Sequence, residues 1–152
     1  RTREQTGAGE GRLNCSRIAA CADGTLLLIV DLMMRGELED YMKPGLCINL
    51  LFRSADFGET WEGPEETGIT RGIVPSIKEL SNGDLIIGAM NGPKGQKLVH
   101  VMLDEEGNVT GQKDLMADLE IPFRDVAIGP DGSLYAATAN MDGVIYRIDR
   151  NE

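Results

Sequence analysis

The sequence predicts an all-β fold of β-propeller blades, about three four-stranded antiparallel blades in the chain. Two observations carry this. First, one short phrase occurs three times, a β-rich run, then Asp-Gly or Asn-Gly, then another β-rich run. The copies are 18–27, 77–86 and 126–135. Second, they recur about 50 to 60 residues apart, in the period range of propellers and solenoids. Asp-Gly and Asn-Gly favour tight hairpin turns, for which a pair of central residues with φ > 0 is expected. A hairpin repeated with further strand after it reads as a blade.

The elements follow in order. Residues 1–11 are polar and glycine-rich. Leu13 to Ala22 and Thr25 to Met34 form the first hairpin. Leu26 to Met34 is the most apolar stretch, interrupted by Asp31. The excursion 35–45 is too polar for core and too long for a tight turn, a length often tied to function. Leu46 to Arg53 is a third strand, and Glu59 to Glu62 a short fourth. The second unit runs Ile73 to Leu80, Asp84 to Met90, Lys97 to Asp104 and Val109 to Asp114. The third runs Phe123 to Ile128, Ser133 to Thr138 and Val144 to Asp149, with no fourth strand after it.

Residues 1–152 thus read as one half-propeller domain. Its blades are expected at 12–70, 71–118 and 119–152, the last completed by the N-terminal strand. Natural rings have four to eight blades, and open sheet edges invite pairing. A second copy would complete a six-bladed ring, so a homodimer is the expected assembly.

The chain carries 25 acidic against 15 basic residues, a net charge of −10. That argues against nucleic acid and anionic membrane surfaces as partners. No apolar run reaches the roughly 18 residues of a membrane-spanning helix. No signal-peptide pattern and no initiating Met are present, which suggests a trimmed or mature chain. The cysteines are Cys15, Cys21 and Cys47. Cys15 and Cys21 on one strand would lie roughly 20 Å apart, beyond disulfide reach; buried free thiols are expected. His100, the single histidine, lies in an apolar strand and reads as a structural residue at a blade surface.

Ser54-Ala55-Asp56-Phe57-Gly58-Glu59-Thr60-Trp61 fits the pattern S-x-D-x-G-x-T-W. It resembles the Asp-box of sialidases. The pattern is structural. Asp56 is expected to bond backbone amides, Gly58 to take a positive φ, and Trp61 to be buried between sheets. The segment Ser16-Arg17-Ile18-Ala19 before Asp23-Gly24-Thr25-Leu26 resembles the sialidase strand whose arginine helps clamp the sialate carboxylate. The resemblance implies a ligand contact for Arg17. It sets Arg35 and Asp40 in the neighbourhoods of a second arginine and the acid/base aspartate. Pro75 stands where a nucleophile-activating glutamate would be, and Tyr41, Tyr135 and Tyr146 lack a nucleophile context.

The latter part differs. Lys97 to Val109, Phe123-Arg124-Asp125-Val126 to Tyr135, and Gly143 to Ile148 are similar to the closing blades of soluble aldose dehydrogenases that bind pyrroloquinoline quinone. Those enzymes carry R-x-R-D-V, with arginines facing the cofactor. This chain has Pro122-Phe123-Arg124-Asp125-Val126, so the resemblance implies that role for Arg124 alone. Their catalytic histidine lies in an earlier blade. The two resemblances join near residues 90–97, as in a chimera of propeller fragments.

The leading reading is therefore a non-catalytic blade module without a cofactor, self-associating through its edges. The runner-up is a sialidase-type glycosidase, or a remnant that binds a small carbohydrate, with Arg17 and Asp40. A quinone-dependent sugar dehydrogenase relic is the third.

Overall fold

A computed structural model describes residues 11–34, 47–70, 76–90 and 96–149. Within these the chain forms three antiparallel sheets, the blades of a β-propeller. The first blade is β1 (Gly11–Ala20), β2 (Leu26–Met34), β3 (Cys47–Ser54) and β4 (Glu62–Thr70), hydrogen-bonded in that order. The second is β5 (Ser76–Glu79), β6 (Leu85–Met90), β7 (Gln96–Leu103) and β8 (Val109–Leu115). The third is β9 (Phe123–Ile128), β10 (Leu134–Thr138) and β11 (Ile145–Ile148), three strands among the described residues. A single 3₁₀ turn, Ala117–Leu119, leads from the second blade to the third. The N-terminal segment expected to complete the third blade, residues 1–10, lies outside the described residues.

The hairpin expectation holds, but the turn is of another kind. The Cys21 amide donates to the Thr25 carbonyl (2.8 Å) and the Gly24 amide to the Cys21 carbonyl (3.0 Å). The same pair of bonds recurs at Leu80–Asp84 and Gly129–Ser133. Only the glycines are left-handed, with φ of 91°, 86° and 80° at Gly24, Gly83 and Gly132. This is the longer turn in which a glycine bulge follows an ordinary β-turn. Asp-Gly serves it for a different reason. Asp23 accepts from the Thr25 amide (2.8 Å) and Asp131 from the Ser133 amide (3.1 Å), while glycine supplies the positive φ. Asp104–Asn108 closes in the same way without the dipeptide.

Burial follows from stacking. The second blade is covered on both faces, so β6 reads Leu-Ile-Ile-Gly-Ala with every residue buried. Covered sheets give such continuous apolar runs. Leu85 and Ile87 join Ile77, Val99 and Val101 against Ala19, Leu27, Ile29 and Leu51 of the first blade. Ile86 and Leu98 join Phe123, Val126, Leu134 and Ala136 of the third. Strand β10 of the third blade is buried at alternate positions, Leu134, Ala136 and Thr138, as one covered face requires. Each such aliphatic side chain contributes roughly 1.5–3 kcal/mol on burial.

Two placements correct the expectations. The fourth strand of the first blade is not Glu59–Glu62 but β4, which begins where the Asp-box turn ends. Trp61 is half-buried, not enclosed between blades. It packs with Leu28 against Val30, Leu32, Leu50 and Phe52. That cluster lies on the face of β2 and β3 opposite Ile29 and Leu51, since residues alternate across a strand. Asp31 interrupts the apolar run because its register partner is Asn49. The two are almost wholly buried, with Asn49 Nδ2 donating to Asp31 Oδ1 (2.7 Å).

Candidate functional site

The first strand of each blade packs beside the first strand of the next, β1 by β5 and β5 by β9. These are the inner strands of the arc. A groove of about 400 Å³ runs along them, lined by Arg17 and Ile18, by Ser76, Ile77 and Lys78, and by Arg124 and Asp125. Among the described residues of the lining are three cations and one carboxylate, in a chain of net charge −10. Lys78 reaches the groove because Ile77, its neighbour, points into the core, and alternation sends Lys78 the other way. Arg124 is exposed beside buried Phe123 for the same reason.

A polar tie holds the two inner strands in place. Ser76, 5% exposed, donates from Oγ to Asp125 Oδ1 (2.6 Å). The Val126 amide donates to both the Asp125 carboxylate (2.9 Å) and Ser76 Oγ (3.2 Å). Asp125 therefore spends part of its acceptor capacity inside the fold.

Of the residues expected in a site, the groove brings together Arg17 and Arg124, which the sequence placed in two unrelated roles. Arg35 and Asp40 lie outside the described residues, as does Tyr41. Tyr146 packs edge-on against Phe123, with ring centroids 6.2 Å apart, and does not line the groove; neither does Tyr135. Lys78 was missed, because a charged residue at an exposed strand position carries no signal until the neighbouring strands are set beside it. The Ser76–Asp125 tie was missed because its members are 49 residues apart.

The turn over 54–61 lies between β3 and β4, away from the groove. Asp56 accepts from the Thr60 amide (2.9 Å) and hydroxyl (2.5 Å), and from Ser54 Oγ (2.7 Å). Those bonds, the Thr60 hydroxyl first, lower its pKa to about 2. The Gly58 amide donates to Ser54 Oγ (2.8 Å), and Trp61 Nε1 to the Gly58 carbonyl (3.1 Å). Phe57 and Gly58 are both left-handed, at φ 57° and 90°. Every partner of Asp56 is inside the turn, which is a structural use of the carboxylate.

His100 is equally occupied. Its Nε2 lies 2.7 Å from Asp84 Oδ2, on β7, two strands out from the groove. Asp84 also accepts from the Leu103 amide (3.0 Å) and from Asn82 Nδ2 (2.7 Å). Burial pushes the Asp84 carboxyl up, and these bonds outweigh it and hold it below its ordinary range. A smaller cavity of about 210 Å³ separates the outer ends of the first two blades and holds Cys21. Cys21 is a free, half-buried thiol. Desolvation, then the charges of Glu79 and Asp23, push its pKa to about 11, so it is protonated and unreactive at neutral pH. The side chains of Cys15 and Cys47 lie outside the described residues. Arg53 clamps that end of the blade pair, bonding Glu65 (2.8 Å) and the Gly107 carbonyl, while Glu65 accepts from the Val109 amide (2.7 Å). Among the described residues no group of three His, Cys, Asp or Glu side chains could hold a metal ion.

The model of the Glucose / Sorbosone dehydrogenase family matches residues 75–147. A crystal structure of a glucose dehydrogenase resembles the chain with a TM-score of 0.53 and 18% identity, over 88% of this chain and 44% of that one. A protein of unknown function from Dyadobacter fermentans DSM 18053 resembles it with a TM-score of 0.56 and 19% identity, over 89% and 47%. No curated protein matches the chain. At these identities the structures show the fold, and the chain spans less than half of either. The family match runs across residues 90–97, so one family covers both sides of the supposed join. Register across it is continuous, from Leu85 opposite Val101 to Met90 opposite Gln96. These matches bear on the dehydrogenase resemblance; the sialidase resemblance rests on its own motif.

Proposed function

We propose that the chain forms the cofactor-binding blades of a quinone-dependent sugar dehydrogenase, in place of the non-catalytic module as the leading reading. One observation carries it: the family match over residues 75–147 includes Lys78, Arg124 and Asp125, which meet in the inner-strand groove. Pyrroloquinoline quinone, when bound, supplies the two-electron acceptor for oxidation of the sugar.

The donor set fits such a group in part. The quinone carries three carboxylates, and the described residues of the groove include three cations and one acid. Guanidinium and ammonium groups are the strong donors to carboxylates. Arg124 would hold the cofactor, with Asp125, tied to Ser76, fixing the backbone from which Arg124 projects. The groove does not fit proton abstraction. The chain's one histidine is bonded to Asp84 on another strand and does not line the groove.

Calorimetric titration of the chain with the quinone tests this reading. Binding is expected, weakened about tenfold or more in Arg124→Gln by loss of a charge-assisted bond. Heat identical in parent and variant, or no binding with the quinone in large excess, overturns it. Dye reduction with glucose then reports whether these blades turn over unaided. Closure of the ring by a second copy remains a proposal on the strand count. Light scattering coupled to gel filtration reads it as twice the 16.5 kDa chain mass.

A further inference from the structure

We propose that the two end blades of the arc are a docking pair, the far face of the third blade in one copy stacking on the first blade of a second copy, with Ile145 inside the contact and Arg147 at its rim. This rests on ring closure by a second copy and names its surface; it does not depend on the quinone.

The repeat itself locates the face. The fifth residue after each turn glycine is Ile29, Gly88 or Ala137. Its register partner on the next strand is Leu51, Leu98 or Ile145. Leu51 and Leu98 are 0% exposed, because each packs into the blade that follows. Ile145, at the same position of the third blade, is 70% exposed. Tyr146 and Ile148 pack toward the second blade, so alternation turns Ile145 and Arg147 to the far face. The neighbouring row repeats as well. Arg53, His100 and Arg147 pair with Leu27, Ile86 and Tyr135. Arg53 crosses to the second blade and donates to the Gly107 carbonyl, in the turn between β7 and β8. Arg147 binds Asp131 and Asp149 of its own blade.

The first blade offers what this face needs. The turn over 54–61 joins β3 to β4 as the Gly107 turn joins β7 to β8, and Gly58 is left-handed like Gly107. Phe57 in that turn is 87% exposed, and the exposed acids Glu59 and Glu62 beside it complement Arg147. Leu85 and Ile87 are wholly buried against the preceding blade. Their counterparts on the first blade, Leu26 and Leu28, are only half-buried. Val30, Leu50 and Phe52, farther along the same face, are already covered within the chain. The contact therefore falls at the end of the first blade that holds Leu26, Leu28 and the turn. Each end of the arc thus supplies the surface that the other lacks, which makes a second copy the occupant. A head-to-tail contact either closes or runs on into a filament; with three blades to a copy, two copies close a six-bladed ring, within the natural range.

Light scattering coupled to gel filtration, over a concentration series, tests the proposal. The parent is expected at twice the 16.5 kDa chain mass. Ile145→Asp and Phe57→Asp should each raise the concentration for half-dimerisation about tenfold or more. Arg147→Gln should raise it about threefold and reduce its dependence on salt. Leu119→Asp, at an exposed apolar residue in the 3₁₀ turn, should not change it. Both aspartates replace exposed side chains, and aspartate tolerates the left-handed backbone at Phe57; unchanged melting temperatures establish folding. A parent that is monomeric at about 100 μM overturns ring closure and this surface together. A dimer indifferent to Ile145→Asp overturns the surface and leaves closure standing. A dimer broken by Ile145→Asp but not by Phe57→Asp has third blade against third blade, and overturns stacking on the first.

Discussion

Ser76 Oγ donates to Asp125 Oδ1 across 2.6 Å, joining the inner strands of the second and third blades. Ser76 is buried, and its oxygen also receives the Val126 amide. Ser76→Ala leaves both the carboxylate and the amide short of a partner. The expected loss is about 1–3 kcal/mol, read by urea denaturation. A variant as stable as the parent would mean that stacking alone holds the strands in register.

Asp84 gathers three donors, His100, the Leu103 amide and Asn82. Asp84→Ala should cost about 2–4 kcal/mol, since it strands buried polar groups at the base of β6 and β7. Asp84→Asn should recover part of this, because an amide oxygen still accepts from Leu103. Equal losses in both variants would locate the effect in the charge rather than in the hydrogen bonds.

Asp56 titrates low, at about 2 against an ordinary value near 3.8. A depressed folded pKa means that the carboxylate's contribution is present above pH 3.8 and is lost as pH falls through about 2. Asp56→Asn should therefore flatten the fall of melting temperature between about pH 4 and 2. Parallel melting curves for parent and variant over that window would show that Thr60 does not stabilise the charged form.

Trp61 is the largest residue of the cluster on the far face of the first blade, and it is only half-buried. Trp61→Ala should cost about 2–3 kcal/mol, below the roughly 3–5 of a fully buried aromatic. Trp61→Phe should recover most of the packing while losing the bond to the Gly58 carbonyl. Guanidinium titration of the three proteins checks the order.

The strand-turn-strand phrases and their spacing were enough to determine three blades, because hairpin formation is local and the glycine it needs is written in the chain. The hydrogen bonds of the turn after β3 were legible for the same reason: Ser54, Asp56, Gly58 and Thr60 bond one another within seven residues. Even the central position of the second blade shows in the sequence, as the unbroken apolar run 85–90. What the sequence could not decide is which residues meet across blades. Arg17, Lys78 and Arg124 each occupy an exposed strand position that is unremarkable alone. They become one site only when stacking of the apolar faces turns three inner strands toward a common groove. The tie between Ser76 and Asp125, the clamp of Arg53 on Gly107, and the occupation of His100 by Asp84 arise in the same way, from contacts that strand pairing and sheet packing create between residues far apart in the chain.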